Sequence, residues 1–88
     1  MRRRVRRGGE LVPLTALNIG EEGIIAHIRG GRAAVQRLMD MGLTQGTRVK
    51  ILASAPFKGP LELMVRGATL AIGWGLADHV FVELAPLY

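Results

Sequence analysis

The spacing of apolar residues changes several times along this chain. GIIAHIR, residues 23 to 29, alternates with the period of a β-strand: Ile24, Ala26 and Ile28 fall on one face, and Ile25, His27 and Arg29 on the other. After Gly30–Gly31 the period lengthens. RAAVQRLMDM places Ala34, Val35, Leu38, Met39 and Met41 at helical spacing, with Arg32, Gln36, Arg37 and Asp40 over much of the opposite face. That pattern predicts an amphipathic helix of about three turns. Beyond Gly46 the period returns to two. Val49 and Ile51 oppose Arg48 and Lys50 in TRVKIL, while LELMVR turns Leu61, Leu63 and Val65 toward a core. ATLAI aligns Ala68, Leu70 and Ile72, and HVFVEL directs Val80, Val82 and Leu84 inward. GWGLAD, between these last two segments, reads as a turn or a single helical turn. LVPLTALNIGEEG, ahead of the first strand, is a short apolar lead-in with turn signals at Asn18 and Gly20. The expectation is a mostly β chain of about five strands with one inserted α-helix, arranged as a small barrel or sandwich.

The junction between helix and strand has its own logic. Gly42 stands where a helix C-terminus favours a residue with positive φ, and Leu43 stands where an apolar side chain packs back on the last turn, as in a Schellman-type stop. Thr44–Gln45–Gly46 then forms a tight turn into the next strand.

Composition narrows the picture. With 88 residues the chain has room for one domain and a small core. It has no cysteine, which removes disulfides and thiolate metal sites. No apolar run approaches the roughly 18 residues of a membrane span. Glu10, Pro13 and Asn18 interrupt any signal-peptide reading of the arginine-rich start. The net charge of +5 is unevenly placed, because Arg2, Arg3, Arg4, Arg6 and Arg7 supply five of the twelve basic residues. From Glu10 onward seven basic residues meet seven acidic ones. Residues 1 to 9 are therefore expected to be a flexible basic arm, and residues 10 to 88 the folded domain. The arm offers phosphate contact, an anionic lipid surface or simple solubility as readings. With one Trp, one Tyr and two Phe in the chain, base stacking has little to work with, which disfavours nucleic acid as a partner.

Candidate chemistry is sparse. Neither histidine lies in a familiar catalytic spacing, and Ser54, the only serine, lacks the Gly-x-Ser-x-Gly turn that exposes a nucleophile. No enzymatic activity is expected. His27 and His79 both fall on the less apolar face of their strands, with Asp78 and the methionines Met39, Met41 and Met64 as further donors in principle. Any metal there would be a transition ion or an adventitious Zn2+, and the competing reading is two ordinary rim histidines. The Gly30–Gly31–Arg32 helix start lacks the GxxxxGK[ST] spacing of a nucleotide-binding loop.

The segment RLMDMGLTQGTRVKIL, followed by a Pro, a GPLELMVRG string and their spacing, resembles the ferrous iron transport protein A (FeoA) family over roughly residues 13 to 84. The positions that carry the resemblance are Leu38, Met41, Gly42, Leu43, Gly46, Pro56, Gly59, Pro60, Arg66 and Gly67. The resemblance implies an SH3-like β-barrel with a helix between early strands. It also implies a cytosolic accessory that contacts the GTPase-bearing membrane transporter, ferrous iron transport protein B, from the cytoplasm or the inner face of the membrane. Two features depart from the family: the arginine arm, and GWGLAD in place of a charged, Ala-containing turn. Trp74 in that turn is either a core plug or an exposed contact. The helix face of Arg32, Gln36, Arg37 and Asp40 is the expected partner surface, and self-association of the barrel is compatible with the same pattern. The rival functions are a metal-dependent regulatory adaptor, since similar domains end iron-dependent repressors, an arm-mediated nucleic-acid-binding barrel, and direct sensing of Fe2+ through His27 and His79.

Overall fold

The structure is a computed structural model that describes residues 10 to 85, so the expected basic arm lies outside the described residues. In chain order the elements are β1 (Leu11–Pro13), a 3₁₀ turn (Leu14–Ala16), β2 (Glu22–Ile28), α1 (Arg32–Asp40), β3 (Arg48–Ser54), β4 (Leu61–Val65), β5 (Ala68–Ile72), α2 (Trp74–Ala77) and β6 (Val80–Leu84). The strands form one antiparallel sheet in the order β1-β6-β2-β3-β4-β5.

Alternation carries most of this architecture. Val49 and Ile51 on β3, Leu61, Leu63 and Val65 on β4, Ile72 on β5, and Val80 and Val82 on β6 all enter one buried cluster. Residues from strands far apart in the sheet order therefore share a core, which requires the sheet to curl round it. Leu14, Leu38 and Leu43 fill the same core from outside the strands, and each is fully buried.

β2 corrects the simple alternating reading. Its ladder with β6 pairs Ile25 with Val82 and His27 with Phe81, so Ala26 is an extra residue that reverses the parity of the strand. Before this bulge Gly23 and Ile25 are buried. After it Ile28 packs against the core and His27 is exposed. Ile25 before the bulge and Ile28 after it carry the core contacts of this strand, and Ile24 and Ala26 do not. A second register shift in β3, between Ile51 and Ala53, ends its buried face at Ile51.

The sheet has one strand more than the expected five. β1 is only three residues long and, among the described residues, pairs with β6 alone. Such an edge position tolerates Pro13, and a strand this short gives no periodic signal. Gly23 is held in a close approach of β2 to β6: a Cβ there would lie 2.7 Å from Val82 Cγ2 and 2.8 Å from Val82 Cβ.

Candidate functional site

The helix α1 is held by few contacts, and its end is fixed by backbone geometry. Met41 is the C-cap, and Gly42 follows at φ +88. The Gly42 N–H donates to Met39 O at 2.9 Å and the Leu43 N–H to Leu38 O at 2.9 Å, the paired bonds of a Schellman stop. Leu38 and Leu43, the apolar pair of that motif, are both fully buried. Gly46, at φ +86, donates its N–H to Ile25 O at 2.7 Å, and the Ile25 N–H donates to Thr47 O at 2.9 Å. Gln45 Nε2 adds a bond of 2.9 Å to Ala26 O. The junction after α1 is thus fastened to the bulged part of β2.

Arg66 closes the junction from the other side. Its Nη2 donates to Thr47 Oγ1 at 2.9 Å and to Thr44 Oγ1 at 3.2 Å, and the two threonine hydroxyls lie 3.0 Å apart. Arg66 holds φ 51 beside Gly67 at φ 80, in the two-residue turn between β4 and β5. A left-handed arginine is strained, and here the conformation coincides with a guanidinium aimed at two hydroxyls. Arg66→Lys is expected to lower unfolding free energy by about 1 kcal/mol, because the shorter lysine does not place its ammonium where Nη2 donates to both hydroxyls. A shift of the urea midpoint at constant m-value would register it; an unchanged midpoint would show the bonds to be dispensable.

Two depressions flank the junction. One, of about 380 Å³, lies between α1 and β2 and is lined by His27, Ile28, Val35, Met39, Thr44 and Gln45. The other, about 550 Å³, lies on the outer face of the sheet, where Lys50, Met64 and Arg66 line it together with Arg48 and Glu22. Arg48 and Glu22 form an ion pair of 3.1 Å across β2 and β3.

The predicted partner face occupies the outer side of α1. Arg32, Gln36, Arg37 and Asp40 are all exposed, and Gln36 Nε2 donates to Asp40 Oδ1 at 2.8 Å. No ion pair engages Arg32 or Arg37 among the described residues. Met39, 47% exposed, borders this face and the smaller depression at once. Trp74 stands elsewhere, on the crossover from β5 to β6. It is half-buried as the first residue of α2 and packs against the core while keeping part of its surface outside.

The histidines do not converge with carboxylates. The Nδ1 of His79 lies 2.9 Å from Arg29 O, an acceptor only, so Nδ1 donates in that bond. His27 tilts against the Phe81 ring with centroids 6.4 Å apart, and the Arg29 guanidinium lies 4.9 Å from the centre of that ring. Asp78 accepts a bond of 2.8 Å from the Thr15 hydroxyl. Among the described residues no group of three or more His, Asp or Glu side chains is placed to hold a metal ion.

The turn from β3 to β4 holds the remaining motif residues. Gly59 donates its N–H to Pro56 O at 3.1 Å, and the Ala55 N–H donates to Pro60 O at 3.0 Å. A Cβ on Gly59 would stand 2.7 Å from that of Ala55, which explains the glycine. Sequence reasoning overlooked the two residues at the tip, Phe57 and Lys58, and the threonine pair beneath Arg66.

An FeoA domain model matches residues 12 to 84. The chain belongs to the FeoA family. A relative in Methanocaldococcus jannaschii, named as a candidate Fe(2+) transport protein A, is 37% identical over 73 residues, covering 83% of this chain and 87% of its own length. A crystal structure of an iron uptake regulatory protein (FeoA) matches at 42% identity and a TM-score of 0.80, covering 86% of this chain and 100% of that one. The FeoA of Stenotrophomonas maltophilia, solved as a zinc complex and described as a prokaryotic SH3 domain protein, has a TM-score of 0.70 at 22% identity. The alignment covers 82% of this chain and 89% of that protein. The architecture is accordingly the SH3-like barrel of this family, mostly β with the helix between β2 and β3.

Proposed function

We propose that this chain is a non-enzymatic accessory of ferrous iron transport, acting by contact with the GTPase-bearing cytosolic part of ferrous iron transport protein B at the cytoplasmic face of the membrane. Family membership and the M. jannaschii relative named for Fe(2+) transport support the process. The contact reading is carried by α1. Its outer face presents two arginines that form no ion pair among the described residues, and Met39 joins that face to the depression against β2, on a helix whose end is locked by the Leu43 and Arg66 contacts. A helix that displays exposed cations, with Met39 leading from its outer face into the depression, suits a partner with an acidic patch and an apolar contact beside it.

The test is a titration of the full chain against the transporter's cytosolic domain, with and without the pair Arg32→Glu and Arg37→Glu. Both positions are exposed, so unfolding curves should coincide with those of the parent. Binding is expected to weaken by about tenfold or more, with the larger share in the association rate. Unchanged binding by a folded double variant would remove α1 from the contact.

A further inference from the structure

The two edges of the sheet are finished differently. β1 is short and carries Pro13, which cannot donate to a further strand. β5 forms the other edge with the uncharged run Ala68–Thr69–Leu70–Ala71–Ile72, and its ladder with β4 has no register shift. Among the described residues no strand or helix other than β4 runs alongside it. Edge strands are commonly blunted by a lysine, a proline or a bulge, and β5 has none of these.

The register tells which of its backbone groups are open. Arg66 and Gly67, both at positive φ, make a two-residue turn, so the flanking pair Val65–Ala68 exchanges hydrogen bonds. The ladder alternates from there. Leu63–Leu70 and Leu61–Ile72 bond across it, while the N–H and C=O groups of Thr69 and Ala71 point away from β4. Among the described residues no hydrogen bond reaches those groups. Thr69 and Ala71 are both exposed, and their side chains are small enough to let another backbone approach. Leu70 shows the matching gap on the core side. It ends the row Ile51–Leu63–Leu70, in which Ile51 and Leu63 are buried and Leu70 is only half-buried.

We propose that this edge pairs with the same edge of a second copy of the chain, the two β5 strands running antiparallel about a two-fold axis at Leu70. That register sets Thr69 of each copy opposite Ala71 of the other, so every open N–H and C=O gains a partner. Leu70 then faces its own counterpart in a non-hydrogen-bonded pair, the closer kind, and each leucine covers the other. Charge selects the same register. On the outer face the ladders give one row Lys50–Met64–Thr69 and another Ala53–Glu62–Ala71. The two-fold joins the first row of one copy to the second row of the other. Lys50 and Glu62 thus lie on opposite sides of the seam, with Met64, 37% exposed, between them. A slip of one residue would set open groups against bonded ones, and a slip of two would join like rows, lysine to lysine or glutamate to glutamate. A seam this short buries less than about 1,200 Å², so the dimer is weak and reversible. It uses no residue of the outer α1 face.

Sedimentation velocity of the full chain from about 10 μM to 1 mM tests this. The parent should pass reversibly from monomer to dimer and no further, because a two-fold seam closes on itself. Ala71→Pro removes an N–H from each copy, and with it two seam bonds, and should raise the dissociation constant about tenfold. That N–H makes no bond within the chain, so the fold should survive. Thr69→Lys, which leaves the backbone intact and blocks the edge with charge, should weaken the dimer as well. The Arg32→Glu, Arg37→Glu pair should dimerise as the parent does, separating this contact from the transporter contact. Because the chain has no cysteine, Leu70→Cys reads the register. Its counterpart Cα would stand about 4.5 Å away, and oxidation should give a covalent dimer. Thr69→Cys, about 7–8 Å from its counterpart, should not cross-link. A chain that stays monomeric throughout overturns the proposal, as does a dimer that Ala71→Pro and Thr69→Lys leave unchanged. Cross-linking through Thr69→Cys in place of Leu70→Cys overturns it too.

Discussion

Leu38→Ala is expected to cost about 2–5 kcal/mol of unfolding free energy, the range for truncating a fully buried leucine that leaves a cavity. Leu38 is the one fully buried side chain of α1. Its side chain packs in the same core as Leu43, while its backbone carbonyl, which alanine keeps, accepts the Leu43 N–H, so the substitution loosens the apolar half of the helix stop and leaves the hydrogen bond in place. In a domain of this size each kcal/mol lowers Tm by about 4–8 °C, so a thermal scan reads the effect easily. Met39→Ala is the internal control. It removes a neighbouring apolar side chain from the same helix, but one that is 47% exposed, and should cost less than about 1 kcal/mol. If the two variants unfold alike, α1 is not anchored through Leu38. Amide exchange gives a second readout, since Leu38→Ala should lower protection in α1 more than in β3 or β4.

The way α1 is attached bears on how it can work in a contact. One buried leucine, a backbone-bonded stop and the Arg66 latch fix its C-terminal end, while most of its surface is left to solvent. A helix mounted in this way can present charge and an apolar edge without its own packing being disturbed by the partner. The family positions from Leu38 to Gly46, with Arg66 and Gly67, are then mostly the mounting, and the exposed α1 residues are what the mounting displays.

Much of the barrel was legible because a strand with one buried face alternates visibly. β3, β4 and β6 bury the predicted sides, and β5 does so at Ile72 and in part at Leu70 while Ala68 at its start is exposed. The helix stop was legible for a similar reason: Gly42 followed by Leu43 has few other uses at that spacing. β2 was misread because a single extra residue, Ala26, reverses its parity, and nothing in its side chain announces a bulge. β1 escaped because three residues cannot show a period. At the candidate site, the charged face of α1 followed from periodicity, but the role of Arg66 did not. It depends on Thr44 and Thr47 arriving from another element, which spacing along the chain cannot show. Phe57 and Lys58 fall between Pro56 and Gly59, which enter only as positions of the family resemblance, and nothing in the apolar spacing marks the two residues between them as left-handed.

Gly23 was equally silent, and it yields the second large effect. Gly23→Ala is expected to destabilise by about 1–3 kcal/mol through overpacking, since the new Cβ would meet Val82 at 2.7 Å and 2.8 Å in the middle of the sheet. Both contacts are with a buried, branched side chain that cannot swing away, so β2 and β6 must part or shear. Gly75→Ala makes the matching comparison. It is the same chemical change, with the same effect on the unfolded chain, but at a helical position with nothing within 4 Å of the new Cβ. There the change should stabilise by about 0.5–1 kcal/mol. Opposite signs for the two substitutions in urea melts would trace the difference to the β2–β6 approach. Adding Val82→Ala to Gly23→Ala refines the test. It deletes the methyl at 2.7 Å but keeps the Cβ at 2.8 Å, so the pair should couple favourably while falling short of full rescue. Strict additivity in that cycle would mean that the strands absorb the extra methyl elsewhere, and that Gly23 is not what sets their spacing.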